Sequence, residues 1–273
     1  MGFGRAESAS HRKANRMTAP ASPASPAPAS APAPTLTLTG RDVVIVGGSS
    51  GIGLEVARRA VAAGARVVIG GRNAAKLASA AESLGDRASW GVVDATDQGS
   101  LAAFFDGIDR IDHLFTPAAS YQVGPMRELT DSEAESPFVS KFWGQYHAVK
   151  HAAPKFTAGA SVVLMSGAAS VRPPAAAPAY VACNAAIEGL GRGLAVELAP
   201  VRVNVVSPGT VDGNLWAQRP AEVREESFAQ YGRDALLRRP GTEGEVADAV
   251  LFLFTNTFMT GSTLYPDGGY ALR

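Results

Sequence analysis

Cysteine is almost absent from this 273-residue chain. The single one, Cys183, excludes an intrachain disulfide and fits a reducing, cytoplasmic location. Net charge is missing too: 25 Lys and Arg balance 25 Asp and Glu. That balance leaves no electrostatic ground for binding nucleic acid or a membrane surface. No apolar run approaches the ~20 residues that cross a bilayer. The opening stretch MGFGRAESASHRKANRM has no apolar core of the kind a secretory signal needs, and Ala6 breaks the myristoylation pattern. His147 and His151 share one helix face at i, i+4, but no acidic residue sits between them in the H-E-x-x-H manner. No metal is expected. His113, in a strand-like run, is expected to be structural.

After the opening stretch comes TAPASPASPAPASAPAPT, nearly all Ala, Pro and Ser. It carries too little bulky apolar surface to offset the entropy of ordering it, so residues 1–35 are expected to form a disordered tail. Residues 36–273 are long enough for one α/β domain.

Within that domain strand-like and helix-like segments alternate. DVVIV (42–46), ARVVIGG, ASWGVVD, IDHLFT, ASVVLMS, VRVNVVS and STLYP read as strands, the first a buried parallel strand by length and β-branching. IGLEVARRAVAAG, NAAKLASAAESLG, 97–107, 131–157, 180–198 and EGEVADAVLFLFT read as helices. Strands joined by helical crossovers give a doubly wound parallel sheet with helices on both faces. Segments 117–130 and 209–241 are expected to be irregular. Both come after strands, on the side where ligands bind in such folds, so they are the expected substrate walls. Tyr121, Leu215 and Trp216 lie in them and are candidates for an apolar lining.

VGGSSGIG (46–53) separates the first strand from the first helix. Gly47 and Gly51 allow backbone conformations closed to other residues, and Gly53 lets helix and strand approach closely. Such a turn presents backbone N–H groups and the positive end of a helix to a pyrophosphate.

These residues resemble the short-chain dehydrogenase/reductase family, whose loop reads T-G-x-x-x-G-I-G. Val46 stands in the threonine position, and Ser49, Ser50 and Ile52 fall inside the matching stretch. VVDATD is similar to the segment whose aspartate, here Asp94 with Ala95 beside it, meets adenine. VRVNVVSPG is similar to the strand and turn beside the nicotinamide, bringing in Pro208, Gly209 and Val211. TGSTLYPDGG matches the closing strand and loop. The resemblance covers about 235 residues and implies a Rossmann-type fold and a homotetramer or homodimer built partly on helices 131–157 and 180–198. The choice between the two dinucleotides can be argued from VVIGGRN. Gly71 stands where an NAD enzyme carries an acid for the ribose, and the Arg72 guanidinium can bind a 2′-phosphate, with Asn73 and Ser49 adding hydrogen bonds. NADP(H) is therefore the expected cofactor.

The family's catalysis uses Asn, Ser, Tyr and Lys, and here one of the four remains in place. Tyr180 occupies the tyrosine position, but Asn184 stands for lysine, Gly167 for serine and Lys141 for asparagine. TPAA (116–119) replaces N-N-A-G, and Gly213 replaces a threonine. A free tyrosine has a pKa of ~10, so forming its phenolate at pH 7 costs roughly 4 kcal/mol unless a cation helps. Carbonyl reduction uses the protonated form and would suffer least. Two readings of Lys141 are open. Either it has exchanged roles with Asn184, its ammonium reaching Tyr180 or the ribose, or it is a structural residue whose head reaches water. Ser166, one place early, either turns inward to hold the substrate oxygen or bonds backbone, and Ser170 is its alternative. The resemblance implies an NADP(H)-dependent oxidoreductase reducing a small carbonyl. Two other readings stand beside it: a cofactor-binding sensor or scaffold, and a dehydratase, isomerase or lyase on the same fold.

Overall fold

The computed structural model describes residues 37–272. The expected tail at 1–35 lies outside them. Seven parallel strands form one sheet: β1 (Asp42–Val46), β2 (Arg66–Gly71), β3 (Ala88–Val92), β4 (Ile111–Thr116), β5 (Phe156–Met165), β6 (Arg202–Val206) and β9 (Thr263–Leu264). Their order is β3-β2-β1-β4-β5-β6-β9. The direction of winding reverses between β1 and β4, and the crevice beyond their carboxyl ends is where doubly wound sheets take ligands.

Helices cover both faces. α1 (Gly51–Ala62), α2 (Ala74–Leu84) and α9 (Glu243–Thr255) pack on one, burying Val56, Leu77 and Val250 against Val43, Ile45 and Ile69. On the other lie α3 (Gln98–Asp106), α5 (Gly144–Ala152) and α6 (Pro178–Glu197), where Leu101, Val149 and Ile187 meet Val44, Leu114 and Val162. Burial on both faces explains why β1 reads as a β-branched run without polar alternation.

Three expectations about elements need correction. The stretch 131–157 is not one helix. α4 (Asp131–Pro137) passes into a wide π-helical turn, Phe138–Trp143, before α5 resumes. Pro137 has no N–H to donate within the helix, and its own carbonyl accepts from Cys183 Sγ at 3.2 Å. The same stretch also ends early, because β5 begins at Phe156, after the Pro154-containing turn.

The segment 209–241 is not irregular throughout. It holds β7 (Val211–Asp212), α7 (Asn214–Ala217), the 14-residue α8 (Ala221–Asp234) and β8 (Gly241–Thr242), with β7 pairing β8. α8 hides from a reading of hydrophobic period because only Tyr231 on it is buried. Its AEVREES start is mostly good helix formers (Ala, Glu and Arg) after Pro220.

Candidate active site

The phosphate loop is held by contacts that a side chain would break. Gly47 has φ of 106°, and a Cβ there would lie 2.6 Å from Ala118 N. A Cβ on Gly53 would lie 2.0 Å from Gly47 O. Gly48, to which the loop pattern assigns no part, is as tight: a Cβ would meet Ile69 at 2.6 Å. Ser50 occupies the N-cap of α1 but makes no side-chain capping bond, so the first turn keeps N–H groups to offer an anion. These features fit a dinucleotide pyrophosphate.

Farther along the same crevice, Ser49 Oγ lies 3.6 Å from where a Gly71 Cβ would be, at the end of β2. Asp94 Oδ1 accepts from Thr96 N at 2.9 Å and from Thr96 Oγ1 at 2.8 Å. The backbone bond from Thr96 is the main cause of its lowered pKa, and the Arg72 guanidinium adds to it. Asn73, expected to aid the phosphate end, caps α2 with its side-chain oxygen, which accepts from Lys76 N at 2.9 Å. Ala95 packs its carbonyl on α5, 3.1 Å from where a Gly144 Cβ would be.

On the far side of the crevice, Pro208 O accepts from Ala168 N at 2.9 Å, tying the Pro-Gly turn to the end of β5. Gly209 must be glycine because the Tyr231 hydroxyl, donating to Asp267 O at 2.6 Å, occupies the place of its Cβ. Val211 sits in β7, pinned to β8. Gly213, where the family has threonine, leaves room that Glu243 fills. That carboxylate accepts from Asn214 N at 2.8 Å and lies 3.4 Å from where a Gly51 Cβ would be.

The candidate catalytic side chains gather on α6 and the π-helical turn. Tyr180, Asn184 and Glu188 are spaced i, i+4, i+8, so they share one face of α6. Lys141 projects at them from the wide turn and is only 4% exposed, so its head does not reach water as one reading allowed. Its Nζ donates to Asn184 Oδ1 at 2.5 Å and to Ser166 O at 2.9 Å. Nζ stands 5.2 Å from the centre of the Tyr180 ring. Among the described residues no carboxylate pairs with Lys141. Asn184, fully buried, spends its amide nitrogen on Tyr180 O at 2.9 Å.

Burial pushes the Tyr180 pKa up. The Lys141 charge, with hydrogen bonding from Tyr121 and Asn184, outweighs it, and the net direction is down. Gly167 lies against this hydroxyl, its absent Cβ 3.2 Å from Tyr180 Oη.

Ser166 does not turn toward the tyrosine. Its hydroxyl donates to Asn184 O at 2.9 Å, because the end of β5 lies directly under α6. Ser170 likewise points away, to Glu188 Oε1. That buried carboxylate also accepts from Ser207 Oγ at 3.2 Å and Tyr265 Oη at 2.8 Å.

Sequence reasoning missed Glu188 and Gln145. Spacing along the helix from Tyr180 was the available signal for Glu188. Gln145 had only its place one turn after Lys141. Its side chain accepts from Thr116 Oγ1 at 3.0 Å and Met165 N at 2.7 Å, and donates to Met165 O at 3.0 Å. It thereby locks the ends of β4 and β5 to the helix that follows the lysine-bearing turn. Of the three expected lining residues, Tyr121 joins the site. Trp216 packs edge-on against Phe228 at 5.4 Å and Leu215 is exposed. Among the described residues no cluster of three His, Cys, Asp or Glu forms a metal site, and no helix is long and apolar enough to cross a membrane.

Comparison with known proteins finds similar chains over most of this one. A family model described as enoyl-(acyl carrier protein) reductase matches residues 46–271. An uncharacterized short-chain type dehydrogenase/reductase of Sinorhizobium fredii is 34% identical over 84% of this chain and 43% of its own length. The cis-4-hydroxycyclohexanecarboxylate dehydrogenase of Sinomonas cyclohexanicum is 34% identical over 84% of this chain and 96% of its own. A solved small-chain dehydrogenase in complex with NADPH is 29% identical, with a TM-score of 0.72, over 85% of this chain and 99% of that one.

Proposed function

Since this chain belongs to the short-chain dehydrogenase/reductase family, whose members are oxidoreductases acting with a nicotinamide cofactor, we propose that it reduces a ketone or related carbonyl with NADPH. The observation that carries this reading is the buried Lys141 ammonium, 5.2 Å from the Tyr180 ring and bonded to Asn184. A positive charge therefore acts on Tyr180 although asparagine holds the lysine position of its helix.

When bound, the nicotinamide supplies hydride to the carbonyl carbon. Tyr180 gives its proton to the carbonyl oxygen as negative charge develops there. Lys141 stabilises the phenolate left behind, and Asn184 holds the ammonium in place. Ser166 serves the backbone rather than the substrate. Choice of NADP(H) over NAD(H) is supported by Arg72 and by the absence of a carboxylate at Gly71, with Ser49 close by. One similar structure is an NADPH complex.

The test is NADPH consumption on a panel of ketones that includes cyclohexanone carboxylates, with Tyr180→Phe as control. Tyr180→Phe is expected to lose about three decades of activity. In Lys141→Met the Tyr180 pKa rises, the protonated donor persists to higher pH, and the alkaline fall of the reduction rate moves up. An unchanged pH profile in Lys141→Met defeats the repaired-site reading. Exposed Val139, Trp143 and Tyr146 support assembly into a homodimer or homotetramer through this helical stretch, which a mass measurement in solution tests.

A further inference from the structure

Tyr180 has a second tyrosine against it. The Tyr121 ring, from the loop after β4, stacks on the Tyr180 ring with centroids 5.1 Å apart and planes 28° apart. Lys141 Nζ is near both, 5.2 Å from one ring centre and 5.8 Å from the other. The other polar groups in reach either have bonds of their own or approach Tyr180 from its own helix. Ser166 donates to Asn184 O, the Asn184 amide spans Lys141 and Tyr180 O, and Gly167 has no side chain. Among the described residues, the Tyr121 hydroxyl is the one left to meet Tyr180 from the loop side.

We propose that Tyr121 is a positioning residue whose hydroxyl donates to the Tyr180 oxygen, supplying a hydroxyl contact at the site where Gly167 has removed the serine. This inference rests on Tyr180 as the proton donor. Two phenols facing each other cannot both donate along one line. With Tyr121 as donor, the single proton of Tyr180 is left free for the substrate oxygen. The same bond steadies the phenolate once that proton has gone, on the side opposite the ammonium. It also gives the loop a function beyond lining the pocket, since it delivers a hydroxyl to the reacting group.

Burial is the chief cause of the raised Tyr121 pKa, so Tyr121 keeps the proton that such a bond needs.

Tyr121→Phe keeps the stacked ring and removes only the hydroxyl. NMR of the cofactor-free protein, with tyrosines labelled at Cζ, reads the Tyr180 titration without any substrate. Its midpoint is expected to rise by about one pH unit in Tyr121→Phe, a tenfold change in the ionisation constant. On NADPH and an accepted ketone, kcat is expected to fall about tenfold with KM little changed, and the pH profile to move with the NMR midpoint. Adding Gly167→Ser to Tyr121→Phe is expected to restore part of both, because the serine Cβ would stand 3.2 Å from Tyr180 Oη. An unmoved Tyr180 midpoint in Tyr121→Phe overturns the inference, whatever the activity. If the midpoint moves but Tyr180→Phe still reduces ketones at the full rate, the tyrosine contact stands and the role of Tyr180 as donor fails.

Discussion

The crevice has two walls that meet the demands of chemistry in different ways. Around β1, β2 and β3 the working parts are backbone: the glycine turn, the N-terminus of α1 and the bare end of β2. Around β4, β5 and β6 the working parts are side chains, and the family's pattern is altered at Lys141, Gly167, Asn184 and Gly213. A backbone site permits little substitution, because a Cβ at Gly53 would sit 2.0 Å from Gly47 O. A site made of side-chain heads is different. Several positions can reach one point, so a charge lost from α6 can return from the π-helical turn beside it. Lys141 and Asn184 are forty-three residues apart, yet Nζ and Oδ1 are in contact.

The largest loss of cofactor affinity is expected from Gly53→Ala on the backbone wall. Overpacking against Gly47 is expected to cost about 3 kcal/mol and to weaken NADPH binding about a hundredfold, read by fluorescence titration. A thermal melt run alongside separates lost binding from lost fold. Normal NADPH affinity in a folded Gly53→Ala protein would dissolve the contrast between the walls.

On the side-chain wall the contrast predicts exchange. Asn184→Lys alone places a second ammonium beside Lys141 in a buried site, and Lys141→Asn alone leaves Tyr180 without a cation. Each is expected to lower ketone reduction about a hundredfold. The double variant, which puts lysine one turn after Tyr180 and asparagine in the wide turn, is expected to recover to within about tenfold of the parent. Simple addition of the two losses would show that the positions do not work as a pair.

The same division governs how much could be read from sequence. Strand runs and glycine spacing record backbone demands residue by residue, so the parallel sheet and the glycine turn after β1 were legible. The arrangement of side-chain heads was legible only where one helix carries the spacing. Tyr180 and Asn184 could be paired on paper, whereas the reach of Lys141 depends on a π turn that Pro137 starts and Gln145 anchors. Ser166 failed as an oxygen holder for a related reason. Its hydroxyl direction is set by α6 lying over the end of β5, which no local pattern records. Tyr121 was legible as a wall residue, but its partner was not, since it rides on a loop with no period. α8 was hidden by its polarity: a helix with one buried residue has no stripe to read.

Glu243 is where the two walls touch, and it yields the smallest predicted effect. Its carboxylate accepts from Asn214 N at 2.8 Å, holding the start of α7, and reaches to within 3.4 Å of where a Gly51 Cβ would be. A negative charge there faces the N-terminus of α1, the place the pyrophosphate would take, and the two repel. Glu243→Gln removes the charge while its amide oxygen can still accept from Asn214 N. NADPH is therefore expected to bind about threefold to tenfold more tightly in Glu243→Gln, with the gain shrinking as salt is added. Weaker binding would mean that Glu243 serves the crevice by holding α7 down rather than by opposing the anion. The side-chain wall would then support the backbone wall instead of competing with it.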